Sequence, residues 1–317
     1  MRARRCLHAA VILLVALLLP STAPAHDMPA AVPLEALPDP EEGSVLFVGT
    51  ATVLIRYRGM TILTDPNFLH RGEQVHLGYG LTSERLTEPA IAFEQLPPID
   101  LVVLSHMHED HFDALVQQKL RRDVPIVTTP AAAEDLRELG FTAATGIERW
   151  QEWRYVKNGT QLHITAMPGR HGPPLVSSAL PPVMGSLLDF RDAQGQRLYR
   201  IYISGDTLVH DDIREIPKRF PNIDLALLHL GGTRVLGILV TMDGSQGVQM
   251  LKIVAPHTAI PVHYDDYTVF KSPLEDFREE VRKAALEQQV QYLDRGQRFV
   301  FRPSATAETA ETAETVQ

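Results

Sequence analysis

Leu101-Val-Val-Leu-Ser-His-Met-His-Glu-Asp-His-Phe-Asp113 is the stretch from which the rest of the chain is read. It opens as an apolar run, Leu101 to Leu104, introduced by Pro97, Pro98 and Asp100. A short apolar run bounded by turn formers is the pattern of a strand buried on both faces. Within one residue the character changes: His106, His108, Asp110 and His111 follow, three imidazoles and a carboxylate in six positions. If the chain stays extended past Ser105, alternate side chains share a side, so His106, His108 and Asp110 converge and His111 enters from the next element. Packed imidazoles without an ion between them would repel once protonated and would each need a partner. Imidazole and carboxylate together suit a borderline divalent cation, so the stretch is read as a metal site rather than a solvated histidine loop.

Outward from this stretch, other apolar runs end in the same kind of donor. Gln161 to Ala166 reads as a strand that leads into Met167-Pro-Gly-Arg-His171-Gly172. Gly185 to Arg191 and Arg197 to Ser204 read as a hairpin around Gln194-Gly195, and its second strand delivers Ser204-Gly-Asp206-Thr207. Ala259 to Val262 is a short strand ending in His263-Tyr264-Asp265-Asp266-Tyr267. The strand-end donors are therefore His106, His108, Asp110, His111, His171, Asp206 and His263. Seven exceed the four of one tetrahedral ion and fit two ions, each with an open or solvent-shared position. The expected division is His106, His108 and His171 on one ion, Asp110, His111 and His263 on the other, and Asp206 between them.

The remaining segments supply a scaffold. Ser44 to Val48, Thr52 to Tyr57 and Met60 to Leu63 read as three short strands with tight turns, and Thr64-Asp65-Pro66 closes the third. Asp65 is read as a turn former there in preference to an acid behind the metals. Phe68 to Pro89 has no clear period and reads as a loop bordering the site, with His70 and His76 as surface histidines. Asp113 to Arg122 and Ala131 to Leu139 read as helices flanking a strand at Pro125 to Thr129. Thr145 to Trp153 reads as a strand, Ile223 to Leu230 as a buried one ending at His229, and Gln246 to Val254 as a helix capped by Thr241 or Asp243. Helix Pro273 to Gln288 and strand Gln291 to Arg302 close the domain. The alternation of strands and helices argues for a layered α/β protein.

Composition sets the limits. The chain has 317 residues, 44% hydrophobic, with a net charge of −9, which argues against a nucleic-acid footprint. Residues 1–25 carry Arg2, Arg4 and Arg5, an apolar run from Ala9 to Leu19, and Ala23-Pro24-Ala25, the pattern of a cleaved export signal. Its removal takes three arginines and no acids, leaving 27 basic and 39 acidic groups and a net of −12. It also removes Cys6, the one cysteine, so the mature chain has no disulfide and no thiolate ligand or nucleophile. Residues 26–43 read as a Pro- and Ala-rich linker, 44–303 as the domain that carries the strand-end donors, and 304–317, with Ala-Glu-Thr three times, as a disordered acidic tail. The expected location is periplasmic or extracellular, with no stable membrane anchor after signal cleavage.

His106-x-His108-x-Asp110-His111, the later His171, Gly205-Asp206-Thr207 and the final His263 resemble the metallo-β-lactamase superfamily, over about Ser44 to Arg302. Within it the chain is most similar to the branch that holds ascorbate-6-phosphate lactonase and the phospholipase D acting on N-acyl phosphatidylethanolamines. The resemblance implies a four-layer αββα sandwich with a dinuclear site at one edge. It also implies a hydrolase, with two divalent ions, zinc first and manganese or iron as alternatives. Lactamases of the commonest type place a cysteine in the site, where this chain has Asp206. The phospholipase branch carries His-Trp at the third motif, where this chain has His171-Gly172. Two close cations would share a hydroxide that attacks a carbonyl carbon or phosphorus, with Asp110 orienting it and taking its proton. Tyr264 and Tyr267 are expected to line the substrate pocket. The substrate is expected to be a small or lipid-derived ester, lactone or phosphoester. The alternatives are a phosphodiesterase or phospholipase of the same fold and, from another class, a metal- or ligand-binding protein without turnover.

Overall fold

A computed structural model describes residues 42–78 and 80–303; the segments read as an export signal and an acidic tail, and nearly all of the expected linker, lie outside them. The first sheet is built from β1 (Gly43–Gly49), β2 (Thr52–Tyr57) and β3 (Met60–Thr64), a meander whose turns fall at the glycines. Gly43 opens β1, so the expected linker ends one residue sooner. The loop after β3 is not wholly irregular: β4 (Gln74–His76) and β5 (Thr82–Glu84) pair as a small hairpin. Then come β6 (Leu101–Val103), α1 (Ala114–Lys119), β7 (Ile126–Thr128), α2 (Pro130–Glu138) and β8 (Ala144–Gly146). The second sheet takes β9 (Glu152–Lys157), β10 (Thr160–Met167), the single turn α3 (Pro174–Ser177), β11 (Gly185–Arg191) and β12 (Arg197–Ile203). It continues through α4 (Glu215–Arg219), β13 (Leu225–His229), the hairpin β14 (Arg234–Val235) and β15 (Ile238–Leu239), α5 (Gly244–Val254) and β16 (Thr258–Val262). Helix α6 (Leu274–Lys283) follows, and β17 (Arg298–Phe301) returns to the first sheet beside β1.

The strand orders are β17-β1-β2-β3-β6-β7-β8 and β16-β13-β12-β11-β10-β9. One core fills the space between the sheets, where Phe47, Ile55, Tyr57 and Leu101 meet Leu162, Leu187, Ile201 and Leu227. A second core covers the outer face of the first sheet, where Leu54, Leu63 and Val102 meet Phe112 and Val116 beside α1 and Leu136 of α2. Helices α5 and α6 supply Met250, Leu251, Phe277 and Val281 against the second sheet. The layers are therefore helix, sheet, sheet, helix, the architecture that the resemblance implies. Burying each such large apolar side chain contributes roughly 1.5–3 kcal/mol.

Strand direction positions the site. Strand β3 runs parallel to β6. Strands β12, β13 and β16 run parallel to one another. Strand β10 pairs antiparallel with β11, and β11 with β12, so β10 points the same way as β12. Strands β3, β6, β10, β12, β13 and β16 are thus among those that present their C-terminal ends at one edge of the sandwich, and every candidate donor lies at or after one of those ends.

Three segments differ from expectation. Thr145 to Trp153 is not one strand: the chain turns between Gly146 and Glu152, with Trp150 at φ +70, and crosses from the first sheet to the second. The last helix stops at Lys283 because Ala285 takes φ +54, a left-handed conformation that cannot continue an α-helix. The closing strand covers only Arg298–Phe301, since Asp294 to Gln297 forms a turn closed by the Gln297 N–H on the Asp294 carbonyl at 2.9 Å.

Candidate metal centre

The loop after β6 is held from three sides before it offers any donor. The Ser105 N–H donates to Asp65 Oδ1 at 2.7 Å, which fixes where the strand ends. Asp113 caps α1 through the Val116 N–H at 2.8 Å, and its other oxygen accepts from the N–H groups of Phe68 and Leu69. Asn67 Nδ2 donates to the carbonyl of Glu109 at 2.9 Å, beside Asp110. These ties make the loop rigid where it must present imidazoles in a fixed geometry.

Three groups of donors result. The imidazoles of His106, His108 and His171 lie together, with ring centroids 4.6 to 5.3 Å apart and one ligand atom from each within 4.8 Å of the others. Asp110, His111, Asp206 and His263 form a second group, fully buried. Asp65, His111 and His229 form a third. Asp206 touches both of the first two: its Oδ2 is 3.4 Å from His111 Nε2 and 4.0 Å from His171 Nε2, and its Oδ1 is 3.6 Å from His263 Nδ1. All seven residues singled out in the sequence are therefore brought to one place, with Asp206 grouped with Asp110, His111 and His263.

Orphaned polar atoms mark the centre of this cluster. Asp110 Oδ1, His111 Nε2 and Asp206 Oδ1 are buried and have no hydrogen-bond partner among the described residues. Such atoms are costly unless something else satisfies them, and their donor types are those a borderline divalent cation takes. The residues present fit a metal.

The electrostatics divide along the same line. Burial holds His106 well below the usual imidazole range, with the neighbouring imidazoles adding to the effect. Burial likewise brings His108 down to about 4 and lowers His171. The shifts favour the neutral imidazoles in which a nitrogen lone pair can serve a cation, and His106 Nε2 and His108 Nδ1 lie 2.9 Å apart. Burial also acts against protonation of His111, but Asp206 and Asp110 outweigh it and hold its pKa well above the ordinary value. His263 is raised in the same way by Asp206 and its contact with Asp110, Nε2 to Oδ2 at 3.4 Å. Desolvation would raise Asp206, yet His263 and His111 keep it far below the carboxylate range.

Two residues behind the cluster carry more than their sequence context suggests. Asp65 is not only a turn former: it is buried, sits at φ +36, and its Oδ2 lies 3.5 Å from His111 Nδ1 and 3.3 Å from His229 Nε2. Although burial opposes it, those two histidines lower its pKa to about 2. His229, at the end of β13, is backed by Ser204 Oγ at 3.3 Å from its Nδ1. A carboxylate on the remote nitrogen of a ligating histidine fixes tautomer and ring orientation. His171 and His263 are oriented by backbone instead, through Nδ1 to Val240 O at 2.9 Å and to Leu230 O at 3.2 Å.

The two tyrosines expected in the substrate pocket are elsewhere. His263 takes φ +62, which turns the following chain away from the donors. Tyr264 points into the core, its hydroxyl 3.4 Å from the Leu293 carbonyl. Tyr267 is buried and donates to Asn67 Oδ1 at 3.0 Å, the same Asn67 that holds the Glu109 carbonyl and receives Arg85 Nη1. Tyr267 therefore braces the ligand loop from behind. The cleft that does open over His108, Asp110, His171 and Asp206 has a volume of about 440 Å³, and its walls are mostly aliphatic. His70 and His76 lie outside the clusters, on Glu88 and Glu109.

Known proteins place this geometry. The β-lactamase superfamily domain matches residues 61–264, and the chain belongs to that family as a metal-dependent hydrolase of the metallo-β-lactamase fold. A metal-dependent hydrolase of Staphylococcus carnosus is 24% identical over 251 residues, covering 76% of this chain and 94% of the relative. An N-acyl-phosphatidylethanolamine-hydrolyzing phospholipase D of Caenorhabditis elegans is 25% identical over 263 residues, covering 78% and 70%. The crystal structure of an isothiocyanate hydrolase from Delia radicum gut bacteria superposes with a TM-score of 0.69 at 21% identity, over 82% of this chain and 99% of that one.

Proposed function

We propose that the chain is an exported hydrolase with two divalent ions, zinc in the first instance, that cleaves an ester, lactone or phosphoester. The observation that carries this reading is Asp206, a buried carboxylate within 4.0 Å of nitrogens from both donor groups. His106, His108 and His171 would hold one ion and Asp110, His111 and His263 the other, with Asp206 shared. Such a pair, when bound, supplies a water acid enough to act as hydroxide near neutral pH and positive charge for the oxygen that becomes anionic. Asp110 Oδ1, which has no hydrogen-bond partner among the described residues, is placed to receive the proton of the attacking water. Asp65 and Ser105 hold His111 and His106 in orientation, with Ser105 Oγ 2.9 Å from His106 Nδ1. The aliphatic walls of the cleft exclude bulk water and strengthen these interactions. The pattern of residues 1–25 supports export.

The test is a metal analysis of the purified mature protein together with a substrate panel. Lactones, bis-p-nitrophenyl phosphate and a chromogenic cephalosporin are assayed with and without chelator. Turnover of one class, abolished by chelator and restored by two equivalents of zinc, is expected. Tight binding of metal without turnover of any compound would instead establish a binding protein.

A further inference from the structure

The cleft over the donors continues outward into an apolar collar that contributes no metal donor. Three segments form it: the β4–β5 hairpin with Leu77 and Leu81, the α3 region with Val176 and Leu180, and the β14–β15 hairpin with Val235 and Leu236. Leu81 is 42% exposed and Leu236 is 97% exposed, and Leu175, next to Val176, is 92% exposed. Scattered exposed leucines are ordinary, but these gather at the mouth of one cleft.

The β14–β15 hairpin makes the point most sharply. Its two-residue turn is Leu236-Gly237, at φ +49 and φ +82. A turn with two positive φ values favours Asn-Gly, because asparagine tolerates the left-handed region and is soluble. Here a leucine occupies the first position, disfavoured by its backbone and by water alike. The hairpin also reaches the metal centre, since the residue after β15, Val240, accepts from His171 Nδ1 at 2.9 Å and from the Gly172 N–H at 2.9 Å.

Charge narrows the occupant. Beyond the donor residues, Arg234 is the one cation among the described lining residues, and it leans on Asp243 at 3.9 Å and on the Gly237 carbonyl at 3.3 Å. A nucleotide or a sugar phosphate would place polar groups against Leu77, Leu81 and Val235 with nothing to pair them. We propose that the cleft takes a substrate with one unbranched hydrocarbon chain, its single polar head at the donor cluster and its chain between the β4–β5 and β14–β15 hairpins, covered by Leu81 and Leu236. The proposal rests on the hydrolase reading for the head group, while the chain pocket is built from residues that hold no metal.

The experiment measures binding, so it does not depend on which bond is cleaved. Linear carboxylates from butanoate to decanoate are titrated calorimetrically into the zinc-loaded protein and into its Leu236→Asp and Leu81→Asp variants. In the parent, Kd should fall about three- to fourfold for each added methylene that the cleft covers. In either variant that slope should flatten. Both positions are solvent-exposed, and far-ultraviolet circular dichroism with metal content verifies that the variants fold. No binding of any carboxylate, or a Kd independent of chain length, overturns the proposal. A clear slope in a protein that hydrolyses nothing in the substrate panel leaves the chain pocket standing and removes the hydrolase reading instead.

Discussion

Asparagine at position 206 is the perturbation that separates a shared centre from two neighbouring ones. Asp206→Asn keeps the shape of the side chain and removes one negative charge. In the native site that charge lies 3.4 Å from His111 Nε2, 3.6 Å from His263 Nδ1 and 4.0 Å from His171 Nε2, so it faces both donor groups. At about 4 Å and an effective dielectric of about 20, one unit charge is worth about 4 kcal/mol, or about a thousandfold in affinity. Water entering the site reduces this, and a loss of about a hundredfold is the lower expectation. The loss should fall on both ions. His171→Ala, by contrast, removes a donor from one group and should release one ion while leaving the second. Competitive titration with a chromophoric chelator, with metal content measured after dialysis, reads both numbers. Two equivalents retained by Asp206→Asn at parental affinity would refute the shared carboxylate. So would the loss of one ion with the other unaffected.

Three further outcomes are expected. Asp65→Asn leaves all seven donors in place but should weaken metal binding about 10- to 100-fold, measured by the same titration, because His111 loses the acceptor that orients it. Zinc binding should release protons, since Asp206 and Asp110 favour the protonated forms of His111 and His263 in the metal-free state although burial opposes it. The sign follows: affinity rises with pH through the raised pKa values of those two histidines and falls in acid, while His108, lowered to about 4, stays available. Calorimetry in buffers of different ionisation enthalpy measures the protons, and binding that releases none would contradict it. Gly205→Ala should destabilise the fold by more than about 1–2 kcal/mol, because Gly205 sits at φ +62 and a Cβ would stand 2.6 Å from the Met184 carbonyl. Thermal unfolding of the metal-free variant reads that loss.

What the sequence shows and what it hides follow from the distance over which each feature is determined. His106, His108, Asp110 and His111 are legible because one strand and one turn place them. His171, Asp206 and His263 are legible because each follows an apolar run. Asp65 and His229 are different. Thr64-Asp65-Pro66 reads as a turn, and its second role exists only because β3 lies parallel to β6, with Ser105 within reach. His229 reads as the end of a buried strand, and its contact with Asp65 spans 164 residues. The only local hint is a histidine inside an otherwise apolar strand end, which needs a partner somewhere. Tyr264 and Tyr267 fail for the opposite reason. Adjacency to His263 suggests a shared direction, but φ +62 at His263 reverses the chain and hands both rings to the interior.

The placement of Val240 bears on how recognition and chemistry are coupled. The ligand loop is braced by buried groups: Asp65 on Ser105, Asp113 on Phe68 and Leu69, and Tyr267 through Asn67 on Glu109. His171 has no side-chain brace of that kind among the described residues; the Val240 carbonyl at 2.9 Å orients it. Val240 in turn continues the β14–β15 hairpin, whose tip is Leu236. Anything that seats against that tip is therefore coupled through Val240 to His171, an imidazole whose orientation is set from the rim. Binding energy from an apolar chain can in this way reach the reacting centre, which is where remote contacts raise turnover rather than affinity alone.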